Sequence, residues 1–254
     1  MYRLWRWNKA AHARRRAGGG RPPRTLLVQH VPFFEFNATE EVRRFGASAV
    51  AYVNLARHPV SMSRSWFFYM VDPTVRPGGR AGRTLEIRRR MGPCGCAELT
   101  YEECVLTAPT NGCDANLHLK DDLLKYFCGL GPECLEDTDE RLERARRHLR
   151  ERYVAVGLME HLPLSLELFA AKLPRVFGGA VSALSGATRK TTTPYGGLSW
   201  RAARLLLEHP RNRRLLAFWE DVRAHFWTRV KACAGEGRLP SAAAAAEAAA
   251  WEWG

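Results

Sequence analysis

Two runs constrain this chain more than anything else in it: SAVAYVNLA at 48–56 and YVAVGLME at 153–160. Each is a continuous β-prone run rather than an alternation of apolar and polar residues. Alternation marks a strand with one wet face, whereas a continuous run suits a strand of a parallel sheet covered by helices. The segments that follow have helical texture. Residues from about Ser61 to Val71 read as a helix after Pro59, and HLPLSLELFAAKLPRVF (161–177) spaces its leucines and phenylalanines helically up to Pro174. RTLLVQHV at 24–31 is a further short strand, ending at His30 or Val31 before Pro32. Strands interleaved with helices indicate an α/β fold, a mostly parallel sheet with helices on both faces.

The remaining segments fill in around that frame. NATEEVRRF (37–45) opens like a helix, with Thr39 placed to cap it. DTDERLERARRHLRERY (137–153) is a charged helix with acids early and arginines late, matching the macrodipole. Two helices are expected at about 199–208 and 211–231, the second with Leu215, Phe218, Trp219, Val222 and Phe226 on one face. DPTVRPGGRAGR reads as a loop, and residues 72–135 as mostly irregular with a short helix near TYEECV. Residues 1–25 form a disordered basic segment, 26–231 the folded domain and 232–254 a low-complexity Ala-rich tail.

With 39 Lys and Arg against 26 Asp and Glu, the formal charge of +13 favours polyanionic partners. Charge alone does not choose among nucleic acid, acidic lipid and sulfated sugar. No RNA-binding signature or zinc finger supports nucleic acid, and no metal is expected. No run approaches the ~20 apolar residues of a membrane span. The basic N-terminus lacks the apolar centre of a signal peptide, so no targeting segment is visible. Asn37-Ala38-Thr39 is a glycosylation sequon. Of the 7 cysteines, all but Cys233 fall between 94 and 134. The pairs Cys104/Cys113 and Cys128/Cys134 would close short loops in an oxidising lumen; free buried thiols are the alternative.

The chemistry-bearing stretch is VNLARHPVSMSRSWFFY (53–69). A strand ending in Arg57, a turn at Pro59 and a helix opening with Arg64 and Ser65 would converge a cation, a hydroxyl and a helix terminus on one point. That combination suits a phosphate; a solvated turn with a surface ion pair is the plainer alternative.

Around this stretch lie QHV (29–31), Arg76-Pro77-Gly78, TYEECV (100–105), FCGLGPEC (127–134), YVAVGLMEHLPLSLELFAAKLPRVFGGA (153–180) and RKTT (189–192). In this order they resemble the heparan sulfate and uronyl 2-O-sulfotransferases. The resemblance covers residues 26 to about 230 and implies the sulfotransferase fold, akin to that of P-loop NTPases. It further implies transfer of a sulfo group from 3′-phosphoadenosine 5′-phosphosulfate (PAPS) to the 2-hydroxyl of a uronic acid in a glycosaminoglycan. His30 would then be the base. Arg57 and Ser65 would hold the nucleotide's 3′-phosphate, with Arg189, Lys190 and Thr191 in a loop over it. Arg76, Arg80, Arg83 and Arg88 would meet the glycan. The disulfide expectation at 104/113 and 128/134 draws mainly on the same resemblance. The family acts in the Golgi as a membrane-anchored oligomer, often a trimer. Three departures stand out. His58 replaces the motif's Asp, Met62 replaces its second arginine, and residues 1–25 offer no counterpart of the 5′-phosphosulfate loop or the membrane anchor. The expectation is therefore an N-terminally truncated member, with a relative that binds polyanions without turnover as the alternative.

Overall fold

A computed structural model describes residue 33 and residues 51–71, 80–179 and 198–239. The expected strand at 24–31, His30, the helix at 37–45, Asn37, Arg76, Arg189, Lys190, Thr191, the segment 1–25 and residues 240–254 of the expected tail lie outside the described residues, whereas residues 232–235 continue the last helix with Cys233 buried. Tyr52–Ala56 (β1) and Tyr153–Leu158 (β2) pair in parallel, in register from Val53 against Ala155 to Ala56 against Leu158, with an irregularity after Tyr52. β2 is buried at every position except the half-buried Val154, whereas in β1 only Ala56 is fully buried. β2 thus has the enclosure its continuous run implies, whereas the equally continuous β1 is the more open of the two.

Helix α1 (Pro59–Val71) follows β1 directly and packs on α2 (Arg80–Arg90). A 3-10 turn at Gly92–Gly95 leads to α3 (Tyr101–Thr107). There Thr100 and Glu103 form a reciprocal capping box: the Glu103 N–H donates to Thr100 Oγ1 while the Thr100 N–H donates to the Glu103 carboxylate. Next come α4 (Asp122–Cys128) and α5 (Asp139–Glu151), the latter capped by Thr138, which accepts from the Arg141 N–H. The expectation of a mostly irregular 72–135 is therefore corrected. Arg and Glu are good helix formers, so the Arg-rich text of α2 is helix and carries a Glu86–Arg90 ion pair one turn apart. In α4 the buried Leu124, Phe127 and Cys128 give the apolar spacing that seats a short helix.

Beyond β2, α6 (Leu162–Lys172) crosses the strand at Gly157. A Cβ on Gly157 would lie 2.6 Å from Ser165 Cβ and 2.9 Å from Phe169 Cζ, so only glycine lets the helix approach this closely. Ser165 Oγ accepts from the Leu158 N–H at 2.8 Å and donates to the Leu158 carbonyl at 2.9 Å, closing the end of β2. The chain breaks at Leu173 and makes one more turn, Pro174–Phe177. It resumes in α7 (Trp200–Leu207) and α8 (Arg213–Gly235). α8 buries Leu215, Phe218, Trp219, Val222, Phe226, Trp227, Val230 and Cys233 along one stripe and packs on β2, α4, α5 and α6. No helix among the described residues is long and apolar enough to cross a membrane.

Disulfides join Cys94 to Cys113, Cys96 to Cys104 and Cys128 to Cys134. The direct Cys104–Cys113 link is corrected, although both residues are bridged. Cys104 lies inside α3, where Cys96 reaches it with the two Cα atoms 5.5 Å apart. Cys113 lies in the turn beyond α3, where Cys94 meets it at 5.2 Å. Cys96 adopts a left-handed φ of 50°, and the neighbouring cysteines of CGC take different partners. Gly157→Ala should lower stability by about 1–3 kcal/mol, because the added methyl overpacks against α6. Urea unfolding measures it, and an unchanged midpoint would contradict the seating of α6 on β2.

Candidate functional site

The two strands end side by side, and their carboxyl ends form one edge. Here β1 gives way to Arg57 and His58, and β2 to Met159 and Glu160. The His58 backbone N–H donates to Glu160 Oε1 at 2.9 Å, across 102 residues of sequence. The same residue starts α1: its carbonyl accepts from the Met62 N–H at 2.8 Å, and its ring Nδ1 accepts from the Val60 N–H at 3.2 Å. Pro59 between them has no N–H to satisfy. His58 thus caps the helix with a ring nitrogen, a role that requires Nδ1 to be unprotonated. Burial holds its pKa below the ordinary value, against the raising influence of Glu160 and Glu220. Trp219 of α8 meets the imidazole edge-on, with ring centroids 5.3 Å apart.

Along α1, Pro59, Ser63 and Phe67 recur every fourth residue and are buried. Ser63 Oγ accepts from the Lys120 N–H at 2.7 Å. Ser65 lies two positions on from Ser63, and so away from that stripe. Like Arg57 it is half-buried. Neither Arg57 nor Ser65 has an ion pair or side-chain hydrogen bond with another described residue. Arg64 likewise lacks a carboxylate partner among the described residues, its guanidinium lying 6.0 Å from the centroid of the Phe68 ring. At this edge Arg57 stands just before α1, without a carboxylate partner among the described residues.

Arg88 occupies a different place. It leans over the Phe67 ring at 4.5 Å, donates to the Gly95 carbonyl at 3.4 Å, and burial lowers its pKa. It lines a cavity of ≈ 230 Å3 together with Trp66, Tyr101, Asn116, His118 and Lys120. Lys120 Nζ stands 3.7 Å above the Trp66 ring, and burial raises the Tyr101 phenol to about 12. Of the neighbouring cations, Arg89 pairs with Glu98 at 2.8 Å and Arg90 with Glu86. Arg80 and Arg83 fall on α2, and their side chains lie outside the described set. Arg57 and Ser65 do not line this cavity; Arg57 lies at the carboxyl edge, whereas Ser65 is the seventh residue of α1. Sequence reasoning passed over Glu160 and Trp219. Glu160 was visible as the acid two residues past a buried strand, whereas Trp219 looked like any apolar residue on the α8 stripe.

No family model matches the chain. Among curated proteins, it is 31% identical over 158 residues to the uronyl 2-sulfotransferase of Mus musculus, covering 62% of this chain and 35% of the relative. It is 29% identical over 170 residues to a heparan sulfate 2-O-sulfotransferase of Xenopus laevis, covering 64% and 42%. It is 26% identical over 156 residues to the heparin sulfate O-sulfotransferase of Drosophila melanogaster, covering 61% and 39%. The chain thus spans less than half the length of these curated relatives.

The His58 cap has a pH signature. A lowered folded pKa means that at acid pH the unfolded chain binds a proton the native state refuses, so stability rises with pH. The contribution is complete above about pH 6.5 and is lost as pH falls toward the folded value. His58→Asn keeps a capping acceptor without titrating and should flatten part of the loss between pH 7.5 and 5. His58→Ala should cost about 0.5–2 kcal/mol already at pH 7.5. Urea midpoints of the three proteins at both pH values test this; parallel acid profiles for wild type and His58→Asn would remove the imidazole cap from the account.

Proposed function

We propose that this chain, which belongs to the family of the uronyl and heparan sulfate 2-O-sulfotransferases, transfers a sulfo group from PAPS to the 2-hydroxyl of a uronic acid in a glycosaminoglycan. The observation that carries this reading is the similarity to relatives of that activity over about three fifths of the chain. The sequence landmarks quoted above support it, as does Arg57 standing where β1 meets α1 with no carboxylate partner among the described residues. The corresponding fold is the family's α/β sulfotransferase fold over residues 26–231, with a Golgi location.

His30 takes the proton as the uronic acid 2-oxygen forms its bond to sulfur, while the bridging bond from sulfur to the nucleotide's 5′-phosphate breaks. A histidine with an ordinary pKa near ~6.5 suits such proton removal. Arg57 and Ser65 bind the nucleotide's 3′-phosphate. A guanidinium at the end of β1 matches a dianion, with the Ser65 hydroxyl offered from the seventh residue of α1. Arg189, Lys190 and Thr191 close over the same nucleotide. Arg76, Arg80, Arg83 and Arg88 face the sulfated or carboxylated chain, and Arg88 does so from the wall of the α1–α2 cleft. Catalysis of this kind relies on positioning and on charge placed at both ends of the transferred group.

Titration with 3′-phosphoadenosine 5′-phosphate, beside sulfate transfer to desulfated heparan and dermatan, tests the reading. Arg57→Ala should weaken nucleotide binding about 10–100-fold, the worth of a hydrogen bond to a charged group. His30→Ala should reduce transfer by about 10²–10⁴-fold with nucleotide affinity intact. Nucleotide binding without any transfer would leave a relative that only holds polyanions, and turnover persisting in His30→Ala would remove the base assignment.

A further inference from the structure

One polar cluster takes no part in the proposed reaction. Asp114 opens the 3-10 turn Asp114–Leu117, His118 closes it, and His209 stands at the head of the turn before α8. The His118 Nε2 lies 2.9 Å from one Asp114 oxygen and the His209 Nε2 lies 2.9 Å from the other. One donor atom from each of the three residues falls within 4.8 Å of the other two. The imidazoles are the more enclosed members, His209 being 11% exposed and His118 27% against 69% for the carboxylate.

We propose that Asp114, His118 and His209 form a binding site for a borderline divalent cation of the zinc class. Two imidazole nitrogens and one carboxylate are a ligand set suited to such an ion, and three protein ligands leave one coordination position open. Bonds of about 2.0–2.1 Å at tetrahedral angles place ligand atoms roughly 3.3 Å apart. The two imidazole-to-carboxylate spacings would open slightly from 2.9 Å, the remaining spacing falls within 4.8 Å, and the carboxylate, which meets the two rings with different oxygens, would turn to offer one of them to the ion. Each neutral ring then carries its one proton on Nδ1, with Nε2 facing the ion. For His209 this replaces the 3.3 Å contact in which Nδ1 accepts from the Arg211 N–H.

The site is built from two segments far apart in sequence, and a buried side chain holds them together. Asn212, 2% exposed, accepts from the Leu119 N–H at 2.9 Å through Oδ1. Its Nδ2 donates to the Leu117 carbonyl at 2.8 Å and to the Leu206 carbonyl at 2.7 Å. On the other side, the Cys94–Cys113 disulfide anchors the residue immediately before Asp114. His118 and His209 are therefore presented by a frame that exists before any ion arrives, the support that metal ligands need from outside their own shell. The sequence spacing, with His209 some 95 residues from Asp114, gave no sign of the cluster.

The test is titration of the full 254-residue chain, disulfides intact, with Zn²⁺ by calorimetry and with Co²⁺ by visible absorption. One equivalent should bind, and Zn²⁺ should raise the melting temperature, since a ligand of the native state stabilises it by mass action. His209→Gln keeps an N–H donor for Asp114 but lacks the imidazole lone pair, and Asp114→Asn keeps the shape without the charge. Each should weaken Zn²⁺ binding by about 100-fold or more, beyond the usual loss from an outer partner. Circular dichroism and metal-free melting confirm that both variants are folded. No Zn²⁺ binding at 100 μM (roughly a −5 kcal/mol affinity floor), unchanged affinity in the two variants, or a near-ultraviolet thiolate band with Co²⁺ would each overturn the assignment.

Discussion

The hydrogen bond from the His58 backbone to Glu160 decides where two parallel strands stop. Parallel pairing needs a long crossover, and here 96 residues lie between Ala56 and Tyr153 in sequence, as their numbers give. Closing so long a loop is entropically costly, though the cost grows only slowly with length. Once it is closed, Arg57 and Glu160 stand at the same edge, and α1 starts there because His58 caps it. Ser165 closes β2 from α6 in the same way. Remove the tie, and Arg57 and the start of α1 lose one of the contacts that fix them to the end of β2, leaving the strand pairing and the Trp219 contact.

The crossover is itself stiffened in pieces. Its disulfides span sequence separations of 19, 8 and 6 residues, so each constrains a local turn of the unfolded chain. Helices α2 and α3 flank the CGC turn, and Arg88 bridges from α2 to Gly95 and Phe67. Asn212 then carries that stapled region across to the start of α8, with three backbone partners satisfied by one buried amide. A buried polar group is tolerable only when its partners are made, and this one is fully engaged. The order of the cysteine-rich segment and the position of α8 are thus set by the same few contacts.

What could be read from the sequence follows from how local the cause was. The two buried strands and α8 were legible because burial on all sides, or along one stripe, writes a continuous pattern into the residues themselves. α5 was legible from its acids early and arginines late, a charge order that suits the helix's own dipole. α2 was not, since its arginines looked like a solvated loop, and only packing on α1 and the Glu86 pair reveal a helix. Cys128–Cys134 was found, but the partners of Cys104 and Cys113 were missed because they depend on α3: the helix holds Cys104 toward Cys96, and spacing alone does not show that. Arg57 was found from strand-end logic, while Trp219 and Asn212 are meaningful only through contacts made across the fold.

Charge is divided rather than spread. Arg89, Arg90, Arg141, Arg146 and Arg214 each have a carboxylate partner. Most of these pairs are exposed, and exposed pairs contribute only about 0–1 kcal/mol each. Their larger effect is on the field: an arginine already facing an acid attracts a polyanion weakly. Arg57 and Arg64 have no carboxylate partner among the described residues; Arg57 precedes α1 and Arg64 is its sixth residue. An anion approaching the carboxyl edge of the strands meets Arg57 beside the strand-end acid Glu160, which the His58 N–H already engages, and the screening distance of about 8 Å at physiological salt limits the attraction to charges this close.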